Sequence, residues 1–149
     1  AHVDRGGYGI GICNGFQVLL ETGILPGALM RNAGLKFICK PVTLTVATSD
    51  SAFTSGYNAG TTVIYPVAHH DGNYVATDEI TSQLNNEDRV AFRYEEDVNG
   101  SVDNIAGSLS SNRRVLGLMP RPERAADAAL GLTDGSAMFT SLADIGVNA

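Results

Sequence analysis

Short apolar runs alternate with amphipathic stretches along the chain. Apolar, β-branched or alternating residues predict strands at 8–12, 35–47, 61–67, 89–94, 105–109 and 115–119. Residues 14–23 have helical spacing, with Phe16, Leu19 and Leu20 on one face, and a second short helix is predicted at 77–84. Strands that alternate with helices in this way predict an α/β fold built around a central sheet.

The first predicted strand leads directly into Cys13, which has Gly11 and Gly15 on either side and a helix behind it. This order is typical of a nucleophile elbow, in which a strained turn holds the side chain clear of the sheet. Both glycines are expected because strand and helix approach too closely for Cβ atoms. A helix N-terminus favours a thiolate, and the backbone N–H of Asn14 would point toward a developing oxyanion. The pattern alone leaves an inert, buried cysteine open as the alternative.

Blocks of sequence over nearly the whole chain carry a resemblance to a known family. They are GICNGFQ at 11–17, LPGALMRN at 25–32, PVAH at 66–69, GNY at 72–74, NGS at 99–101, IAG at 105–107, LGLMP at 116–120 and PERA at 122–125. In this order, they resemble the glutaminase subunit of phosphoribosylformylglycinamidine synthase, a class I glutamine amidotransferase with a catalytic triad.

The resemblance implies a three-layer, flavodoxin-like α/β domain with a mostly parallel central sheet. Cys13 would lie at the carboxyl end of a strand, where such sheets place their sites. Family domains carry an opening β/α section, with part of the oxyanion hole, before the cysteine strand. The chain starts at Ala1, only a few residues before that strand. Residues 1–149 are therefore expected to be one partial, N-terminally truncated domain.

The chemistry implied by the resemblance is glutamine hydrolysis. Cys13 would attack the side-chain amide of glutamine, Asn14 would contribute to the oxyanion hole, and Gln17 would contact the bound glutamine. An ordinary exposed helix residue is the alternative for Gln17. Glu123 would orient a catalytic histidine that protonates the leaving ammonia.

The resemblance also implies partners. Ammonia would pass to a large synthase subunit, which makes the amidine in purine synthesis, and a small accessory subunit would complete the assembly. No cofactor is expected in this subunit, since ATP and Mg²⁺ would bind the partner synthase subunit.

One residue departs from the family pattern at the catalytic histidine. The family has M-P-H-P-E-R where this chain has Arg121, two residues before Glu123. A guanidinium has no acceptor nitrogen and keeps its proton. Arg121 can pair with Glu123, but turnover is expected to fall by about 10²–10⁴-fold without general acid–base help.

Three classes of function follow from these residues. The first is an amidotransferase subunit impaired at Arg121. The second is a non-catalytic interaction subunit of the same synthase, which Arg121 favours. A thiol hydrolase or peptidase of related fold shares the G-x-C-x-G pattern and is the third, since fold alone does not settle function.

The pair His69-His70, followed by Asp71, is the other group with candidate chemistry. Adjacent strand residues point to opposite faces, so the two histidines are not expected to bind one metal. Rescue of catalysis by a second histidine is a further alternative. In the family this segment lies near the synthase partner, and a structural or interface role is the favoured interpretation.

Composition and charge limit the partners and the cellular location that can be expected for this chain. The formal charge of -6 argues against a nucleic-acid partner. Two cysteines, Cys13 and Cys39, make no disulfide framework, which suits a reducing, cytoplasmic location. No apolar run approaches the roughly 20 residues of a membrane span, so no membrane association is expected.

Overall fold

A computed structural model describes residues 5–125 and 134–148. The strands are β1 (Gly9–Ile12), β2 (Ala28–Met30), β3 (Ile38–Val46), β4 (Thr62–His69), β5 (Asn73–Val75), β6 (Val90–Tyr94), β7 (Ile105–Leu109) and β8 (Val115–Leu118). The helices are α1 (Asn14–Glu21), α2 (Asp78–Asn86) and α3 (Ser136–Asn148), with short 3₁₀ helices at Val102–Asn104 and Pro122–Ala125. The predicted strands and both predicted helices are present with ends shifted by a few residues, which confirms the α/β class.

Six strands form the central sheet in the order β1-β8-β7-β6-β3-β4. Among the described strands β1 and β8 are the one parallel pair in this sheet, and its other neighbours run antiparallel. The expected mostly parallel arrangement is therefore wrong for this part of the chain. The physical reason lies in the connections: short loops such as 110–114, between β7 and β8, reverse the chain, whereas parallel neighbours need a long crossover.

A second, two-stranded sheet pairs β2 with β5 and was not predicted. Each strand has only three residues, too few to show the alternation on which strand prediction depends. Tyr74, in β5, is fully buried, and its hydroxyl donates to the carbonyl of Pro26 at 2.5 Å. Its ring lies 5.9 Å from that of Phe16 in α1, so this small sheet packs beside α1.

Apolar residues cover both faces of the central sheet. On one face Leu116 and Leu118 of β8 join the main core, which also includes Met138 of α3. On the other face Phe16 of α1 and Leu84 of α2 belong to two smaller clusters, and the half-buried Leu29 packs against both. The sheet is thus the middle of three layers, and α1 follows its edge strand β1 directly.

Candidate active site

Cys13 forms the turn between β1 and α1. Its backbone has φ 56° and ψ -105°, a left-handed conformation that L-residues rarely adopt and that costs on the order of 1–3 kcal/mol. Its N–H donates to the carbonyl of Leu118 at 2.8 Å, which ties the strained residue to the end of β8. This strand–turn–helix geometry is that of the predicted elbow, with the sulfur at the N-terminus of α1, and the role of Cys13 as nucleophile stays a prediction.

The two glycines beside Cys13 differ in their surroundings. A Cβ added at Gly11 would lie 2.5 Å from Leu19 Cδ1 and 2.6 Å from the backbone of Gly15, so strand and helix meet there. A Cβ added at Gly15 meets no atom within 4 Å. The steric expectation is therefore confirmed for Gly11 and wrong for Gly15, because the side-chain direction of Gly15 points into open space.

A cavity of about 310 Å³ opens beside the sulfur. Its lining includes Cys13, Asn14, Gln17, His69 and Arg121. Four parts of the fold build it: the start of α1, Phe37 just before β3, the end of β4 with the loop after it, and the segment that follows β8.

Two contacts hold the end of β4 over the elbow, although β4 and β1 are opposite edges of the central sheet. The Cys13 thiol lies 3.6 Å from the carbonyl oxygen of Ala68, to which it donates. The N–H of Arg121 donates to the carbonyl of Pro66 at 2.8 Å. Residues distant in sequence therefore meet around one sulfur.

The position of Arg121 matches the interpretation drawn from its spacing to Glu123. Nη1 of Arg121 lies 3.4 Å from Oε1 of Glu123, and the two side chains are 24% and 38% exposed. Exposed pairs of this kind contribute little to stability. Glu123, in the 3₁₀ helix behind Arg121, thus contacts the residue at the position where the resemblance implies a histidine.

The two predicted substrate-binding residues lie on the first turn of α1. Asn14 is exposed and Gln17 is half-buried, and both line the cavity. The side-chain amide of Gln17 donates to Oε1 of Glu21 at 3.1 Å. Their contacts with glutamine stay a prediction.

His69 is the cavity residue whose place the sequence did not reveal. It is 4% exposed, and its Nδ1 lies 3.0 Å from Oδ1 of Asn32. The amide nitrogen of Asn32 donates to the carbonyls of Lys36 (2.9 Å) and His69 (2.8 Å), so Oδ1 faces the ring. The N–H of Gly72 also donates to this Oδ1, at 2.9 Å. An amide oxygen only accepts, and Nδ1 of His69 therefore carries the ring proton.

The neutral His69 ring consequently has its lone pair on Nε2. Burial lowers the pKa of His69 from its ordinary value of 6.5, and the charge of Arg121 lowers it further, against an opposing contribution from Asp71. His69 is thus held as a neutral base at neutral pH. His70, next along the chain, is exposed and packs with its ring 4.8 Å from that of Phe37, so the two histidines do face apart as expected.

Comparisons with known proteins agree with this geometry. The sequence model of the CobB/CobQ-like glutamine amidotransferase domain matches residues 1–131. The chain belongs to this family.

Individual relatives of this glutamine amidotransferase domain are similar over nearly all of the chain. Phosphoribosylformylglycinamidine synthase subunit PurQ of Roseobacter denitrificans is 68% identical over 142 residues, and that of a Ruegeria species (strain TM1040) is 65% identical over 145. The matches cover 95% and 97% of this chain but only 64% and 65% of the relatives' own length.

A solved structure described as PurLQS from Thermotoga maritima superposes with a TM-score of 0.87 at 43% identity. It covers 96% of this chain and 64% of the matched one. This likeness confirms the flavodoxin-like class I glutamine amidotransferase fold expected from the sequence.

The described residues were considered for two further features, a metal site and a membrane-spanning helix. They contain no group of three or more histidine, cysteine or carboxylate side chains placed to hold a metal ion. Within the same part of the chain, no helix is long and apolar enough to cross a membrane.

The depressed pKa of His69 predicts how stability depends on pH. Below about pH 6.5 this histidine takes up a proton in the unfolded chain but stays neutral in the folded chain. The free energy of unfolding should therefore fall as the pH is lowered. The slope from one such group is at most about 1.4 kcal/mol per pH unit, and it vanishes above pH 6.5 and below the folded pKa. Urea unfolding of the full-length protein between pH 5 and 8 measures this slope.

The matched variant for this measurement is His69→Asn. Asparagine places its amide nitrogen where Nδ1 of histidine lies, so it can keep the bond to Asn32 while removing the titrating ring. Its stability should lack the extra loss below pH 6.5. Equal slopes in the two proteins would contradict the burial of a neutral His69.

Proposed function

We propose that the chain is the glutaminase part of a phosphoribosylformylglycinamidine synthase. It hydrolyses glutamine to glutamate and ammonia, and the ammonia feeds an ATP-dependent synthase subunit in purine biosynthesis. The observation that carries this proposal is the strained Cys13 at the N-terminus of α1, opening into a cavity, in a chain 68% identical to a PurQ subunit. A large synthase subunit and a small accessory subunit are the proposed partners, and ATP and Mg²⁺ would bind the large subunit. We place the assembly in the cytoplasm.

The geometry supports a covalent mechanism in the cavity. The Cys13 thiolate attacks the amide carbon of glutamine, and a tetrahedral oxyanion forms beside the N-terminus of α1, where the N–H of Asn14 is a free donor of the first helical turn. Ammonia leaves a thioester, which water hydrolyses to glutamate. Gln17, one helical turn beyond Cys13, would contact the bound substrate.

Arg121 limits this chemistry because proton transfer needs a group that both accepts and donates. A guanidinium only donates, and here it also contacts Glu123, the residue that would orient a histidine. This observation favours a second candidate, a subunit that docks on the synthase without hydrolysing glutamine. We favour a slow glutaminase because the elbow and the cavity are intact.

The test uses the full-length protein with and without its synthase partner. Ammonia and glutamate are measured after addition of glutamine, for the natural protein and for Cys13→Ala. We expect equimolar ammonia and glutamate from the natural protein, and no glutamine-dependent ammonia from the alanine variant. Binding to the synthase without any ammonia release, even in single-turnover assays, would support the docking subunit instead.

A further inference from the structure

Two buried polar atoms on the wall of the Cys13 cavity have no hydrogen-bond partner. They are Nε2 of His69 and Nε of Arg121, and within the described residues only Asn73 and Ser108 contain others. Folded proteins leave few such atoms, and each one in a native structure needs an explanation. Nε of Arg121 can only donate, whereas Nε2 of His69 is a lone-pair nitrogen and can take a proton.

The His69 ring is held more firmly than other polar side chains of the cavity. Asn32 fixes the Nδ1 side, and the ring packs so closely on Gly72 that a Cβ there would lie 2.4 Å from Cε1 and Nδ1. The neighbouring His70 is exposed, and Asp71 lies 3.7 Å from Arg31 in an exposed ion pair. A ring fixed in one tautomer, on the wall of the same cavity as a cysteine, can serve general acid–base catalysis there.

The position of His69 along β4 brings it to the wall of the cavity that Cys13 also lines. The residue before it, Ala68, accepts the Cys13 thiol at 3.6 Å, and both His69 and Cys13 line the same cavity. We propose that His69, through Nε2, performs the proton transfers for which Arg121 is unsuited, so that the glutaminase turnover of this chain runs through His69. This inference rests on the proposed glutaminase function.

The proposed steps balance in protons and electrons. Nε2 of His69 takes the proton of the Cys13 thiol, and the thiolate electron pair forms the C–S bond while the carbonyl π pair moves to oxygen. That pair returns as the C–N bond breaks, and the imidazolium proton passes to nitrogen, which leaves as ammonia. Water then attacks the thioester, gives a proton to Nε2 and expels the thiolate, which regains that proton.

The charges around His69 set the pH at which it acts. Arg121, on the segment after β8, disfavours its protonation, while Asp71 in its own loop favours it. His70 disfavours it as well, and Cys13 faces the same cavity from α1. Glu123 lies behind Arg121 and Arg31 lies against Asp71, so these two neighbouring charges each have a partner of opposite sign.

The test measures ammonia release by the full-length protein in a two-by-two set of variants. His69→Asn is made with Arg121 and with Arg121→His, and kcat and KM for glutamine are measured from pH 5 to 9. With Arg121 present, His69→Asn should lower kcat by about 10- to 100-fold and remove the acidic limb of the pH profile. With Arg121→His, the same change should cost much less, because a second imidazole then transfers the proton.

A second readout does not depend on glutamine hydrolysis. The rate at which iodoacetamide alkylates Cys13 is followed against pH, and its midpoint should shift when His69 is replaced, since the thiol loses its neighbouring base. An unchanged alkylation profile would overturn the inference.

Other outcomes separate the inference from the proposed function. An equal loss of kcat in both backgrounds, or a change confined to KM, would show that His69 acts only through structure or binding and would overturn the inference. Ammonia release by the Arg121→His protein but not by the natural one would overturn it too, while keeping the glutaminase function. The absence of ammonia release from every variant would overturn both the inference and the proposed glutaminase function.

Discussion

Arg121→His is expected to raise the kcat of glutamine-dependent ammonia release by about 10- to 100-fold, with His69 supplying the rest of the roughly 10²–10⁴-fold that general acid–base help contributes. The reason is that an imidazole both accepts and donates a proton near neutral pH, whereas the guanidinium of Arg121 never gives up its own. Glu123 lies 3.4 Å from Nη1 of Arg121, so a carboxylate is present near this position. Steady-state assays of the full-length protein with its synthase partner measure the gain.

The matched control is Arg121→Gln. Glutamine removes the positive charge and keeps polar atoms near Glu123, but it supplies no base. We expect it to leave kcat within a few-fold of the natural protein. Equal gains from the two variants would mean that removing the charge, not restoring an imidazole, controls turnover.

Local sequence pattern was sufficient to predict those parts of the site that come from one short segment of the chain. A strand, Cys13 and a helix are consecutive in the chain, and so are Arg121 and Glu123, so both groups could be predicted with their contacts. Local sequence pattern does not predict where β4 runs in the fold. Its end lies over the opposite edge of the sheet, and only the three-dimensional fold brings Ala68 within 3.6 Å of Cys13.

The place of His69 on the wall of the Cys13 cavity could not be predicted for the same reason. Strand alternation correctly separated His69 from His70, but it gave no account of what each faces. The tautomer of His69 depends on Asn32, which lies 37 residues earlier in the chain. A network of single polar contacts between distant loops has no period, and periodicity is the main signal from which structure is predicted.

The predicted direction of the strands was wrong for a different reason. The resemblance implied a mostly parallel sheet, yet β6, β7 and β8 follow one another as antiparallel neighbours. An Asn99-Gly100 pair, a turn signal typical of hairpins, lies between β6 and β7. For the strands of this chain, loop length was thus a better guide to direction than the overall fold class.

The second large effect is expected from Gly11→Ala, a substitution in the turn that contains Cys13. Its new Cβ would meet Leu19 Cδ1 at 2.5 Å and the backbone carbonyl of Gly15 at 2.6 Å, and the backbone has no rotamer by which to move away. We expect a loss of about 3 kcal/mol in the free energy of unfolding, at the upper end for overpacking. If α1 shifts to make room, Cys13 shifts with it, and a displacement near 1 Å is expected to lower kcat by about 10²-fold.

Gly15→Ala is the matched control, because it adds the same methyl group two residues beyond Cys13. No atom lies within 4 Å of its Cβ position, and alanine favours a helix over glycine by up to about 1 kcal/mol. Urea unfolding should therefore find this variant as stable as the natural protein or slightly more so. Equal losses for the two alanine variants would show that the chain needs glycine for turn flexibility on both sides of Cys13, rather than for the contact between β1 and α1. A loss confined to Gly11 would locate the constraint in that contact, which holds Cys13 beside its cavity.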